Sequence, residues 1–155
     1  TKSKRLMIGL VQRVTQASVS VEQHIIGEIG YGALLLLGVE AHDSELNVQK
    51  MVNKLIKFRM FTDHAGKMNW NIEQIKGDIL VVSQFTLVAD TTKGNRPGFS
   101  RGASPEHGQA MYDAFITELR SRICLPEMHV ATGQFGADMQ VALVNDGPVT
   151  FSLHT

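Results

Sequence analysis

Two stretches carry groups that could act on a ligand: Ser83-Gln84-Phe85-Thr86, and Asn145-Asp146-Gly147-Pro148-Val149-Thr150. The first follows the apolar run Ile79-Leu80-Val81-Val82. A buried strand that turns polar at one end often delivers groups to a pocket. In a regular strand from Ile79 to Val88, Gln84 and Thr86 share one face while Ser83 and Phe85 share the other. The second stretch lies between two β-like runs, Met139 to Val144 and Val149 to Leu153. Asp146-Gly147 there reads as an ordinary hairpin turn. Pro148 resists that reading, because it has no N–H for a ladder and restricts Gly147 before it. The alternative is a stiff elbow that presents backbone groups, and a cis bond would turn the Gly147 carbonyl sharply outward.

The chemistry missing from the chain narrows what these residues can do. His24, His42, His64, His107, His129 and His154 are scattered, with no pair at zinc-ligand spacing, so neither a metal nor a cofactor is expected. Neither stretch brings a histidine for a Ser-His-acid triad. Cys124, beside Ile123 and Leu125 at a helix end, gains nothing from the helix dipole and reads as structural. An enzyme built from these parts works by positioning and backbone hydrogen bonds, which suits a substrate that is already reactive.

Other residues admit two readings each. Lys93, Arg96 and Arg101 fall in a Gly-rich loop without an acid, which serves either as a phosphate cradle or as a plain surface loop. Lys50, Lys54 and Lys57 form either a solvated helix face or a phosphate-facing stripe. Phe135, flanked by Gly133 and Gly136, is either a platform for a flat ligand or a core plug, the plug being the commoner use.

The elements that must position these groups follow from the periodicity. Leu6 to Val14 and Ser18 to Val21 read as strands of a β-meander, and Ala33 to Val39 as a strand covered on both faces. A helix capped by Asp43 or Ser44 buries Val48, Met51, Val52, Leu55 and Ile56. Arg59 to Trp70 forms a hairpin around Asp63-His64-Ala65-Gly66. Ser104 and Pro105 open a second helix with Met111, Ala114, Phe115, Leu119 and Ile123 inward, ending before Pro126. Met128 to Ala131 is a short strand. The predicted fold is a single α+β domain, with a largely antiparallel, barrel-like sheet and two main helices.

At 155 residues and 43% hydrophobic, the chain can bury a real core. Fifteen cations balance fifteen acids, so there is no global footprint of a nucleic-acid or membrane binder. Any polyanion must be met by a local patch. One cysteine rules out an intrachain disulfide and fits a reducing compartment, with cytoplasm the default. The basic start before Leu6-Met7-Ile8 has too short an apolar run for a secretion signal, and Tyr31 to Val39 is too short to span a bilayer.

Ser83-Gln84-Phe85-Thr86-Leu87 and Asn145-Asp146-Gly147-Pro148-Val149-Thr150 together resemble the two signature motifs of the D-aminoacyl-tRNA deacylases. The likeness runs from about Met7 through Gln12-Arg13-Val14, Arg96-Pro97-Gly98-Phe99 and Ala137-Asp138-Met139-Gln140 to the C-terminus. Gly98 stands where many members have Ser. Thr1 to Leu6 precede the usual start and read as an extension, leaving 7–155 as the deacylase domain. A related group acting on L-mischarged tRNA has Pro-Gln-Ala-Thr-Leu in place of the first motif, so Ser83 and Phe85 favour the D-specific group.

The resemblance implies hydrolysis of the ester between a D-amino acid and the terminal ribose of tRNA. It places Ser83, Gln84, Phe85 and Thr86 in the catalytic site, with strand N–H donors and RNA-assisted water preferred over Thr86 as nucleophile. It implies that the Gly147-Pro148 pair is cis, enters a partner subunit's site and excludes L residues by shape, with Arg13 steadying the loop. A homodimer is therefore required, and leakage onto glycyl-tRNA is expected. Phe135 and Met139 would line the terminal adenosine's pocket, and Lys93, Arg96 and Arg101 would meet phosphates of the acceptor end. Two rival classes stay open: a non-catalytic RNA- or DNA-binding module, and an unrelated small-ester hydrolase using Ser83 or Thr86.

Overall fold

The computed structural model describes residues 6–155, so most of the expected Thr1 to Leu6 extension lies outside the described residues. The chain runs β1 (Ile8–Val21), β2 (His24–Ile29), β3 (Gly32–Gly38), α1 (Glu45–Lys57), β4 (Phe61–Thr62), β5 (Met68–Trp70) and β6 (Asp78–Ser83). A 3-10 turn (Phe85–Val88), α2 (Pro105–Arg122), β7 (Val130–Thr132) and β8 (Gln140–His154) follow. This is the expected α+β fold with two main helices.

The two strands predicted before residue 22 are one, and they do not form a meander. The second half of β1 pairs antiparallel with β2 and the first half with β3, so β2 and β3 continue one another along a single edge. β8 pairs antiparallel with the other edge over nearly its whole length. β3–β6 and β6–β7 are parallel, which makes the sheet mixed, with its antiparallel share centred on β1. The sheet curls until β2 approaches β7: a Cβ on Gly27 would lie 2.8 Å from the Thr132 carbonyl oxygen. That near-closure gives the barrel-like core.

Curling creates two apolar interiors, and β3 and β6 feed both. Leu35, Leu37, Ile79 and Val81 pack with Met51, Leu55, Phe115 and Leu119 of the helices. Leu34, Leu80 and Val82 point the other way, among Val14, Val19 and Ile29. Period-two alternation with both faces buried is why these runs read as continuous apolar stretches. β1 changes phase midway: Val14 shares the second cluster with Ala17 and Val19, which regular alternation would place on the opposite face. The ladder with β8 shifts register at the same place.

Ser44 caps α1, with Asn47 completing the box, and the five predicted inward residues are buried. The Ser104 hydroxyl accepts the His107 N–H ahead of Pro105, as N-cap chemistry requires. α2 buries Tyr112, Phe115, Ile116 and Leu119, while Met111, Ala114 and Ile123 are only partly covered. Cys124, expected to be structural, is exposed. Among the described residues, no helix is long and apolar enough to cross a membrane.

Candidate active site

A cavity of about 450 Å³ opens where β6 ends, lined by Ser83, Gln84, Phe85, Phe99, Phe135 and Met139 among others. No residue of its lining carries a titratable side chain. The strand expected to run to Val88 stops at Ser83, and Phe85–Val88 winds into a 3-10 turn. Gln84 and Thr86 therefore do not share a strand face. They meet instead through the turn, the Gln84 amide donating to the Thr86 hydroxyl. The physical cause is the exhaustion of pairing partners: Gln84 N–H still bonds the Leu37 carbonyl at 2.8 Å, but β3 ends at Gly38.

The first bond closing the turn runs from Leu87 N–H to the Gln84 carbonyl at 3.2 Å. The N–H groups of Phe85 and Thr86 precede it and are not used by the turn itself. Phe85 lines the cavity with the half-buried Ser83 and Gln84, whereas the exposed Thr86, next along the turn, is not among its lining residues. Such an arrangement can orient a polar ligand and donate hydrogen bonds to an anionic oxygen, but it provides no side-chain base.

Phe135 answers both readings at once. Its ring packs against Tyr112, with centroids 5.9 Å apart, and against Gly108 of α2, yet it also lines the cavity. Tyr112 backs it, donating its hydroxyl to the Val81 carbonyl at 3.0 Å; burial pushes this phenol up to about 12. Met139 lies across from Gly133 and takes the Gln134 N–H on its sulfur at 3.4 Å. Phe85 and Phe99, which are 68% and 49% exposed, form a tilted pair at 5.5 Å on the rim. A flat apolar ligand would find aromatic surface on two sides.

The three loop cations are not equivalent. Lys93 and Arg96 are exposed, whereas Arg101 is half-buried, with one guanidinium nitrogen on the carbonyls of Val88 and Ala89 at 3.4 and 3.3 Å. Arg101 thus ties the loop to the 3-10 turn. On α1, Lys50 and Lys57 are exposed and Lys54 bonds the His154 carbonyl.

The second motif is no hairpin turn. It is a bulge within β8: Gln12 faces Thr150 and Val14 faces Asn145, so four residues of β8 stand opposite Arg13 alone. Gly147 and Pro148 are exposed, the peptide between them is cis, and Gly147 has φ +128°. A Cβ at Gly147 would lie 2.7 Å from Val149 Cγ2. Asn145 spans the bulge, its oxygen accepting Val149 N–H and its nitrogen bonding Thr150 Oγ1, each at 2.9 Å. Buried Arg13 sits beneath, Nε donating to the Asp146 carbonyl at 3.1 Å, while Nη1 holds the Met60 carbonyl and the Thr62 hydroxyl, both at 3.1 Å.

The two motifs do not meet within one chain. Arg13 pairs with Ala33, and Ala33 with Ile79, so the bulge lies level with the start of β6, four residues short of Ser83. At ~3.3 Å per residue and ~4.8 Å per strand, the separation is on the order of 20 Å. Neither Gly147 nor Pro148 lines the cavity.

Tyr31, beside the bulge, was not singled out from sequence, and neither Phe99 on the rim nor Asp146 within the bulge was given a role of its own. Phe99 sat in view next to Gly98 in the basic loop. The meeting of Tyr31 with Asp146, 115 residues apart, leaves no sequence signal.

Residues 10–154 match the family model described as D-Tyr-tRNA(Tyr) deacylase. A protein of Alteromonas mediterranea named D-aminoacyl-tRNA deacylase is 64% identical over 145 residues, 94% of this chain and 97% of that protein. One of the same name from Citrobacter koseri is 55% identical over 147 residues, 95% of this chain and 99% of that protein. A solved structure named c-Myc DNA Unwinding Element Binding Protein aligns with TM-score 0.89 at 39% identity, covering 96% of this chain and 98% of that one.

Proposed function

The chain belongs to the D-Tyr-tRNA(Tyr) deacylase family, a family of ester hydrolases, and from that premise we propose that it hydrolyses D-aminoacyl-tRNA, releasing the D-amino acid and free tRNA. The observation that carries the mechanism is the cavity at the end of β6, lined without a titratable side chain and bordered by Phe85, which opens the 3-10 turn whose first N–H groups the turn itself does not use. Water attacks the ester carbonyl carbon, the oxyanion is held by those N–H donors, and collapse expels the ribose oxygen, which takes up a proton. The neighbouring ribose hydroxyl helps position the water or carry the proton, so the protein supplies orientation and charge stabilisation. Ser83 and Gln84 orient the substrate. Thr86 has the Gln84 amide as a hydrogen-bond partner, and the adjoining cavity is lined without a titratable side chain, which supports a positioning role over a nucleophilic one.

D and L substrates carry the same groups, and apolar pockets discriminate weakly between small differences. Selection is therefore assigned to the exposed main chain at Gly147 and Pro148, which blocks a side chain pointing the L way and cannot rotate aside. Glycyl-tRNA, with nothing to block, is also cleaved. The ~20 Å between bulge and cavity supports an arrangement in which the bulge of one copy completes the cavity of another, in an isologous dimer. Phe135 and Met139 receive the terminal adenosine, and Lys93, Arg96 and Arg101 face phosphates of the acceptor end. The setting is the cytoplasm.

A second reading, a nucleic-acid-binding module without catalysis, is favoured by the name of the 39% identical solved structure. It predicts affinity that falls with salt and no ester cleavage. Incubation with D-tyrosyl-tRNA separates the two: release of D-tyrosine supports the deacylase, and binding without release overturns it.

A further inference from the structure

The Asp146 carboxylate is held from two sides. Its Oδ2 lies 3.2 Å from Arg13 Nε and accepts the Tyr31 hydroxyl at 3.2 Å. We propose that Tyr31 is a positioning residue for the Gly147-Pro148 loop, acting through Asp146. The proposal rests on the chiral-selection reading of that loop.

Arg13 alone leaves the loop a degree of freedom. Its guanidinium is anchored at Nη1 by Met60 and Thr62, so Nε is a fixed point that meets the Asp146 carbonyl and carboxylate together. A single point allows the Asp146 side chain, and the peptide leading into Gly147, to pivot about it. The Tyr31 hydroxyl adds a second point from another element. Tyr31 is itself well placed to do so: it fills the break between β2 and β3, its carbonyl accepts Asp78 N–H at 3.0 Å, and its ring tilts against buried Phe61 at 5.9 Å. Burial first, and then Asp146, raise its phenol above the usual range. Tyr31 is 44% exposed, and its hydroxyl has Asp146 as its protein partner.

The test compares the unaltered protein with Tyr31→Phe, Asp146→Ala and the double variant. The readouts are the ratio of kcat/KM on D- and L-tyrosyl-tRNA, amide exchange at Gly147, and the unfolding midpoint. Tyr31→Phe keeps the ring and is expected to leave the midpoint unchanged, while the D:L ratio falls roughly three- to tenfold and Gly147 exchange quickens, the scale of one hydrogen bond to a charged group discounted for exposure. In the Asp146→Ala background the same substitution is expected to change nothing further. A D:L ratio unmoved by Tyr31→Phe, or losses that multiply independently in the double variant, overturns the proposal. If the unaltered protein hydrolyses neither substrate, the functional reading fails instead, and exchange alone decides: faster Gly147 exchange in Tyr31→Phe sustains the clamp, and unchanged exchange removes it.

Discussion

Arg13 and Asp146 meet twice: Arg13 Nε donates to the Asp146 carbonyl at 3.1 Å and lies 3.2 Å from the Asp146 carboxylate. One buried nitrogen thus meets both the main chain and the side chain of the residue before Gly147. Lysine at position 13 keeps the charge but has no planar fork to bridge Asp146, Met60 and Thr62. Arg13→Lys is expected to cost about 2–4 kcal/mol in denaturant unfolding, from buried carbonyls left without donors. A change below about 0.5 kcal/mol would mean that the contacts under the bulge do not matter.

Pro148 is exposed, so its removal should be cheap for folding and expensive for function. Alanine there frees φ and adds an N–H, softening the elbow. Pro148→Ala is expected to fold and dimerise, with stability within about 1 kcal/mol. Its D-over-L preference should fall at least tenfold, or activity should vanish. Paired deacylation assays and sedimentation check this, and full retention of D-selectivity counts against a rigid wall.

Thr86 is exposed, and its hydroxyl accepts the Gln84 amide. Thr86→Ala should lower kcat by about tenfold, the scale of one lost polar contact, and leave substantial turnover. Complete loss of hydrolysis with substrate binding intact would restore the nucleophile and the small-ester hydrolase reading.

Tyr112 supplies a pH test of the packing behind Phe135. Burial raises its phenol from 10.0 to about 12 in the fold. The folded chain holds that proton more tightly than the unfolded chain, so this contribution to stability is fully present below pH 10 and is lost as pH rises through about 12. In a Tyr31→Phe background, ultraviolet titration should show the remaining phenol ionising well above the ordinary range, together with unfolding. Ionisation near pH 10 in the folded protein would show the site to be open.

Both helices were legible because caps and apolar stripes are local: Ser44, Ser104 and Pro105 start them where the rules place them. Ala33 to Val39 and Ile79 to Val82 were legible as doubly covered strands for the same reason. Three features depend on partners distant in sequence and were not. Whether Ser83 continues into a strand depends on where β3 runs out, at Gly38. Whether Asp146-Gly147 turns back or bulges depends on β1 being long enough to pair both flanks, and it is. Phe135 was ambiguous because it is both packed and accessible. The motif residues were recognised by type, but their separation of about 20 Å is a property of strand order alone.

The most direct measurement is the release of amino acid from matched D-tyrosyl-, L-tyrosyl- and glycyl-tRNA. Fast release from the D and glycyl substrates, with L-tyrosyl-tRNA at least a hundredfold slower, is the expected result, the gap corresponding to about 2.7 kcal/mol. Equal rates on the D and L substrates would contradict selection by the Gly147-Pro148 main chain.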